Sequence, residues 1–300
     1  MYFSTANPGM KYGGVMGESK YKVLCSIPEK YVPNTMFIST STSFSRIVSM
    51  IQEYGFRYPF IIKPDVGERG RNVEMISSEN ELKAYLEGKS EDLIVQEFIN
   101  YTLEFGIMYH RLPGDTRGKV TSMVQKGFLS VCGDGKRTIQ QLIEEEIRAS
   151  NRIDYLKNKH KKNLNTVMDP DEQMYLEPIG NHCRGTTFYN ANHMINEKLI
   201  TIFDQIARQI DGYFYGRFDI KVPSLDDLYA GENIKILELN GVSSEVAHVY
   251  DPDYKLIQAY KDIVRHMRYI YEIALKNHSL GIPYDPLGTF LKDLKTHLWK

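Results

Sequence analysis

Much that would classify a chain quickly is scarce in these 300 residues. There are three cysteines, Cys25, Cys132 and Cys183, far apart and without metal-ligand spacing. That argues against a disulfide framework or a thiolate metal centre and fits ordinary thiols in a reducing compartment. No apolar run approaches the roughly 18 residues of a membrane span, and no basic stretch at the N-terminus leads into an apolar one. A cytoplasmic protein without a membrane partner is expected. Neither sign of charge dominates, with 37 Lys+Arg against 38 Asp+Glu for a net charge of −1. No basic stripe carries interleaved aromatics, so nucleic acid is not an expected partner either. The most basic stretch, Lys157 to Lys162, falls in a polar connecting segment and reads as a solvated face or mobile loop. No internal repeat or low-complexity tract is visible. The length suffices for one large domain or two medium ones with a sizeable core.

Along the chain, residues 1–34 are rich in glycine, serine and tyrosine and read as an irregular arm, with a short helix after Glu18-Ser19. A helix is predicted over 42–54, striped by Phe44, Ile47, Val48 and Ile51 and ended by Gly55. Strands follow at 59–63, 72–76 and 93–97, with a helix from Ser78 to Leu86 opening on the capping-box spacing Ser78…Glu81. Strand material dominates 103–131, and a second capping box, Thr138…Gln141, begins a helix. Residues 150–175 read as a mobile polar insertion. Helices are predicted over 194–210 and 254–274, with Asp251-Pro-Asp253 before the latter as its N-cap and start. Strand-turn-strand units mixed with helices, without regular βαβ alternation, predict an α+β fold.

Two strands near the end carry the most chemistry. Gly216-Arg-Phe-Asp-Ile-Lys221 is followed, after a loop, by Ile236-Leu-Glu-Leu-Asn240. Positions two apart on a strand share a side. Arg217, Asp219 and Lys221 therefore face one way and Phe218 and Ile220 the other, while Glu238 and Asn240 oppose Leu237 and Leu239. Paired as a hairpin, the strands bring two carboxylates, an amide oxygen and an arginine to one surface. Hard oxygen donors of this kind suit Mg²⁺ bound together with nucleotide phosphates. The same alternation also describes a solvated face of an antiparallel sheet.

A second feature is the turn Lys63-Pro-Asp-Val-Gly67-Glu-Arg-Gly70-Arg-Asn-Val73. Its glycines let backbone N–H groups approach phosphate oxygens, and Lys63 adds a charge. Alone it is an ordinary glycine-containing turn, and its spacing is neither that of a Walker loop nor of a Rossmann fingerprint. Together with the hairpin the pattern resembles the ATP-grasp superfamily over roughly residues 56–250. The likeness is closest to the ATP-grasp domains of cyanophycin synthetase-like ligases and more distant to D-alanine–D-alanine ligase. The Lys63–Val73 turn is similar to a Lys-Pro-x-x-Gly-x-x-Gly-Arg-Gly-Val loop of those enzymes. Val131-Cys-Gly-Asp-Gly-Lys-Arg-Thr-Ile139 resembles their Val-x-Gly-Asp-Gly-x-x-Thr-Ile segment, and Asn181-His-Cys-Arg-Gly-Thr186 more loosely their Asn-Leu-Ser-Thr-Gly-Gly stretch.

The resemblance implies two lobes of antiparallel or mixed sheet enclosing a nucleotide cleft. It divides the chain into an N-terminal region 1–55, an ATP-grasp domain 56–277 (small lobe 56–97, large lobe 98–277) and a tail 278–300. It implies ATP and two Mg²⁺ ions, with Mn²⁺ an alternative. Lys63 and Lys126 would contact phosphates, with Gly67, Arg69 and Gly70 in the loop that folds over them. Glu97 would mark the hinge at adenine, and Glu104 would take the ribose hydroxyls. Asp219, Glu238 and Asn240 would hold the metal, and Arg217 would stabilise charge at the reacting carbonyl. Arg184 is a candidate for a substrate carboxylate, whereas His182, His193 and His248 read as structural. Lys136 and Arg137 read as surface charges at a helix entry.

The implied reaction is ATP-dependent carboxylate–amine ligation through an acylphosphate on an amino-acid or peptide-like acid, in a possible homodimer. A phosphotransferase and a non-catalytic nucleotide-binding module are the alternatives. Two departures from the pattern stand out. Only about 55 residues precede the first nucleotide strand, and Asn72 replaces a loop glycine.

Overall fold

Polar caps start most of the helices and leave short strands to build the sheets. Ser19, Ser43, Ser78, Asn196 and Ser224 each accept from a backbone N–H three residues on, and Thr138 with Gln141 closes a reciprocal capping box. The structure is a computed structural model and describes residues 1–67 and 70–298. After α1 (Lys20–Cys25), the chain forms β1 (Thr35–Ile38), α2 (Phe44–Glu53), β2 (Phe60–Pro64), β3 (Glu74–Ile76), α3 (Glu79–Leu86) and β4 (Leu93–Glu97). The four strands make an antiparallel sheet in the order β1-β4-β2-β3. Ile47 and Ile51 of α2 and Leu82 of α3 cover it, meeting Phe60, Ile62 and Val95. This sheet begins at Thr35, ahead of the first strand expected from the sequence at 59. Four residues of β1 are too few to show alternation.

Next come β5 (Leu103–His110), β6 (Lys119–Gly127), β7 (Ser130–Cys132), α4 (Ile139–Glu145), α5 (Ile153–Lys159) and β8 (Gln173–Tyr175). The segment 150–175 is therefore structured rather than a mobile insertion. Leu156, Met168 and Leu176 are buried against Leu142 and Ile143 of α4. These apolar residues are spread too thinly to show a period. A buried carboxylate, Glu177, organises the segment from its end, with Arg152 at 3.1 Å, Lys159 at 3.3 Å and Arg184 at 3.5 Å. Lys157, within the most basic stretch, pairs with Glu144.

The remaining elements are β9 (Thr187–Asn190), α6 (Glu197–Ala207), β10 (Tyr215–Val222), α7 (Leu225–Ala230), β11 (Lys235–Asn240), α8 (Leu256–Ser279) and α9 (Leu287–Leu298). The expected loop between β10 and β11 thus contains a six-residue helix. α8 begins two residues after the expected position, because Asp251 caps a preceding turn by accepting from Asp253 N. Five strands form a second antiparallel sheet in the order β11-β10-β5-β6-β9. Its inward face, including Phe105, Ile107, Met123, Phe218 and Ile220, packs on Leu199, Phe203 and Ile206 of α6.

The N-terminal arm lies between α8 and the start of β10. The buried Asn7 side chain accepts from Phe214 N and Tyr215 N at 2.9 Å and donates to Tyr215 O at 2.8 Å. The described part of the expected tail, residues 278–298, packs back on the chain. α9 returns over the arm, with Phe290 against Phe3 and Tyr12 and Asp293 bonded to Tyr12 at 2.9 Å. Among the described residues, no helix is long and apolar enough to cross a membrane.

Candidate active site

The outward face of the five-stranded sheet is a grid of polar side chains fixed by register. Arg217 of β10 pairs with Asn240 of β11, and Asp219 with Glu238. On the other side of β10, Asp219 is opposite Gly106 and Lys221 opposite Glu104. Gly106 in turn faces Val124 of β6. A Cβ at Gly106 would lie 3.2 Å from Asp219 Oδ1 and 2.9 Å from Val124. Its absence leaves the channel through which Lys126 of β6 reaches across to β10. Lys126 Nζ is 2.8 Å from Glu104 Oε1 and 3.2 Å from Asp219 Oδ1. Arg217 forks onto Asp219 at 3.1 and 3.0 Å, and also donates to Glu245 O at 3.2 Å. Asn240 Nδ2 completes the set at 3.2 Å from Asp219 Oδ2.

Charge balance explains why these buried groups remain ionised. Burial by itself would raise the Asp219 carboxyl, but Arg217 and Lys126 outweigh it and hold the group below the usual range. Burial would likewise lower Lys126, yet Asp219 and Glu104 raise it. For Lys63 the balance reverses. Desolvation brings its ammonium down to about 8, with Glu238 opposing only in part.

Lys63 comes from β2 in the other sheet and donates to Gln96 Oε1 at 3.1 Å and Leu237 O at 3.2 Å. The loop after it is pinned from both sides. Lys20 of α1 donates to Gly67 O and lies 3.8 Å from Glu238. Arg184 donates to Gly70 O at 2.9 Å and Val73 O at 2.6 Å. Asn72 has φ +55°, a left-handed conformation that asparagine tolerates better than most side chains, so it does here what a glycine would. Arg69 lies outside the described residues.

Between the two sheets is a cavity of about 650 Å³, within the usual range for a small-molecule site. It is lined by Lys63, Gly67, Gly70, Glu97, Glu104 and Lys126 from the expected nucleotide set, and by Arg217, Asp219, Glu238 and Asn240 from the hairpin. Arg184 is not on this wall, because its guanidinium is buried behind the loop and occupied by main-chain carbonyls. Glu97 N already donates to Asn34 O at 2.8 Å, and Phe98 and Ile99 continue the cavity edge beside it. Lys20, Gln96, Glu245 and Tyr250 also line the cavity and were not singled out in the sequence. Lys20 sits in the first turn of a six-residue helix, where no periodicity marks it.

Asp219, Glu238 and Asn240 fit a hard divalent cation such as Mg²⁺ or Mn²⁺, since all three offer oxygen from one face of two paired strands. The Asn240 amide presents nitrogen to Asp219, and turning it over presents oxygen in the same place. Among the described residues there is no metal-holding group of three or more His, Cys, Asp or Glu, because the third donor here is an amide.

Residues 21–148 match the RimK-like ATP-grasp domain. Cyanophycin synthetase of Synechocystis sp. is 25% identical over 233 residues, which are 70% of this chain and 26% of that protein. Formate-dependent phosphoribosylglycinamide formyltransferase of Sulfolobus acidocaldarius is 28% identical over 100 residues, 31% of this chain and 24% of that protein. Among solved structures, D-alanine–D-alanine ligase from Coxiella burnetii aligns with a TM-score of 0.49 and 10% identity, covering 97% of this chain and 64% of that one. The chain spans about a quarter of the length of the curated relatives it matches. The relationship to ATP-grasp domains that the motifs predicted is thus shown, on an α+β fold of antiparallel sheets. The domain match ends before β10 and β11, so the carboxylate pair rests on sheet geometry.

Proposed function

We propose that the protein is an ATP-dependent carboxylate–amine ligase with its nucleotide in the cavity between the two sheets. One observation carries this reading. Two carboxylates and an amide face a cavity that also receives Lys63, Lys126 and Arg217 from three separate strands. Phosphoryl transfer demands positioning and charge neutralisation more than covalent help, and this is a site made of charges held in place.

In the first step a substrate carboxylate oxygen attacks the γ-phosphorus, the bridging P–O bond to the β-phosphate breaks, and ADP leaves an acylphosphate. In the second, an amine nitrogen attacks the acyl carbon, phosphate departs, and the nitrogen gives up a proton. Lys63 and Lys126 present ammonium groups to the phosphate oxygens. Arg217 is rigidly forked and offers its guanidinium where negative charge grows on the carbonyl oxygen. A divalent cation bound to Asp219, Glu238 and Asn240, or a pair of them, would supply charge neutralisation at the polyphosphate. Gly67 and Gly70 line the cavity on the side of Lys63. An amino acid or peptide is the acid this reading favours.

The test is ADP release from the protein with Mg²⁺, ATP and pools of amino acids or peptides. The expected result is ADP formation requiring both an acid and an amine, with an amide product by mass. Glu238→Gln should abolish it while changing the melting temperature little, because among the described residues the ion pair of Glu238 is a long one, 3.8 Å to Lys20. Phosphorylated product without need of an amine would establish a kinase instead.

A further inference from the structure

The outward face of α8 carries apolar side chains that the rest of the described chain leaves largely bare. Ile257 (74% exposed), Tyr260 (63%), Val264 (63%), Met267 (59%) and Tyr271 (49%) follow one another at spacings of three, four, three and four residues. At one end of the series Tyr271 meets Tyr2 edge-on. The alternation is that of the seam by which one helix receives another, and it is narrower than the face a helix turns to a globular core. α8 does not need this stripe to stay on its own chain. Its opposite face is buried through Ala259, His266, Ile273 and Asn277, and Asn277 donates to Thr5 O at 2.8 Å. With Leu256 and Leu275 included, the exposed part of the stripe is roughly 800 Å², about one partner's share of a standard specific interface. Patches on a typical monomer are smaller, roughly 300–600 Å² at most.

We propose that α8 pairs with α8 of a second copy of this chain, the helices lying parallel about a two-fold axis along the seam. The two edges of the stripe decide the direction. One edge holds Lys261 and Arg268, and its nearest acid, Glu272, is already on Arg268 at 2.7 Å. The other edge is apolar, with Ile263 and Ile270 half-buried. Antiparallel pairing sets each edge against its own copy and brings the basic edges together. Parallel pairing lays the alkyl stems of Lys261 and Arg268 over Ile263 and Ile270 of the partner subunit, with the charges in water. Ile257 and Val264, at equivalent points of successive heptads, are the β-branched residues that favour two parallel strands. The pairing does not depend on the ligase reading.

Sedimentation equilibrium of the 300-residue chain from about 1 to about 100 µM should give twice the 34.7 kDa chain mass. Val264→Glu or Met267→Glu puts a charge in the seam and should restore the single-chain mass with unchanged circular dichroism. In a protein whose three cysteines are replaced by serine, Ile257→Cys should cross-link to itself, since parallel helices bring each position beside its own copy. A single-chain mass at every concentration, or a dimer that survives both glutamates, overturns the proposal. So does an Ile257→Cys protein that cross-links only to a Tyr271→Cys protein.

Discussion

Lys63 Nζ donates to the Leu237 carbonyl at 3.2 Å, so a side chain rooted in the four-stranded sheet is fastened to the backbone of β11 in the five-stranded one. The residue after Leu237 is the carboxylate Glu238. One ammonium group therefore links the two walls of the cavity and sits beside the acidic cluster. Lys63→Met keeps most of the volume but removes the charge. A charge-assisted hydrogen bond contributes roughly 1.5–3 kcal/mol, so affinity for a non-hydrolysable ATP analogue should fall at least tenfold by titration calorimetry. Affinity within twofold of the natural protein would take Lys63 out of the phosphate site.

The arm at the start of the chain is built into the end of the ligand strand. Gly14, at φ +84°, lies so close to Gly241 that a Cβ there would stand 2.6 Å from its Cα, and Gly241 directly follows Asn240. Gly17 has nearly the same backbone, φ +70°, but nothing within 4 Å. Alanine at either position costs about 1–2 kcal/mol for the left-handed conformation. Gly14→Ala adds an overpacking cost of about 1–3 kcal/mol that Gly17→Ala lacks. Urea unfolding should rank them in that order, with a clear gap. Equal losses would mean that the arm is not packed against the exit of β11.

The hairpin was legible because strand alternation alone assigns Arg217, Asp219, Glu238 and Asn240 to one face, and the antiparallel register then brings them together. What stayed hidden was decided at a distance. Segment 150–175 is held by buried Leu156 and Met168 and by one buried carboxylate, Glu177, that gathers cations from Arg152, Lys159 and Arg184. Nothing local in the sequence reveals that. Lys20 reaches the cavity only because α1 docks against the loop, where Tyr21 N donates to Asp65 Oδ1 at 2.8 Å. The small sheet's first strand and the helix between β10 and β11 are four and six residues long, too short for periodicity to declare them.

Arg184 shows how local appearance misleads. Beside glycine in a loop it resembles a free donor for a substrate carboxylate, yet its hydrogen bonds go to the carbonyls of Gly70 and Val73. Arg184→Met should therefore loosen the loop over the nucleotide. The expected outcome is a several-fold rise in KM for ATP and faster proteolysis between residues 64 and 74, with KM for the acid substrate unchanged. A rise confined to the acid would restore the original expectation.

Acid should unfold the protein through histidines far from the cavity. His266 is 3% exposed and its Nδ1 lies 3.1 Å from the Tyr215 hydroxyl. Burial first, then the neighbouring His110 and His248, bring its pKa from 6.5 down to about 4, against a small opposing pull from Asp262. His110, stacked on Tyr269, is also lowered to about 4, by burial and by Lys119. Each ring binds its proton more weakly in the folded chain than in the unfolded one. Their contribution is therefore complete above about 6.5 and is lost as pH falls towards 4. At 1.36 kcal/mol per pH unit the ceiling is about 3 kcal/mol for each ring. Urea midpoints measured between pH 7 and 4 should fall steeply, and His266→Gln should flatten that slope while retaining an acceptor for the Tyr215 hydroxyl. A slope that is unchanged in His266→Gln, and in the double variant with His110→Gln, would place the acid sensitivity elsewhere.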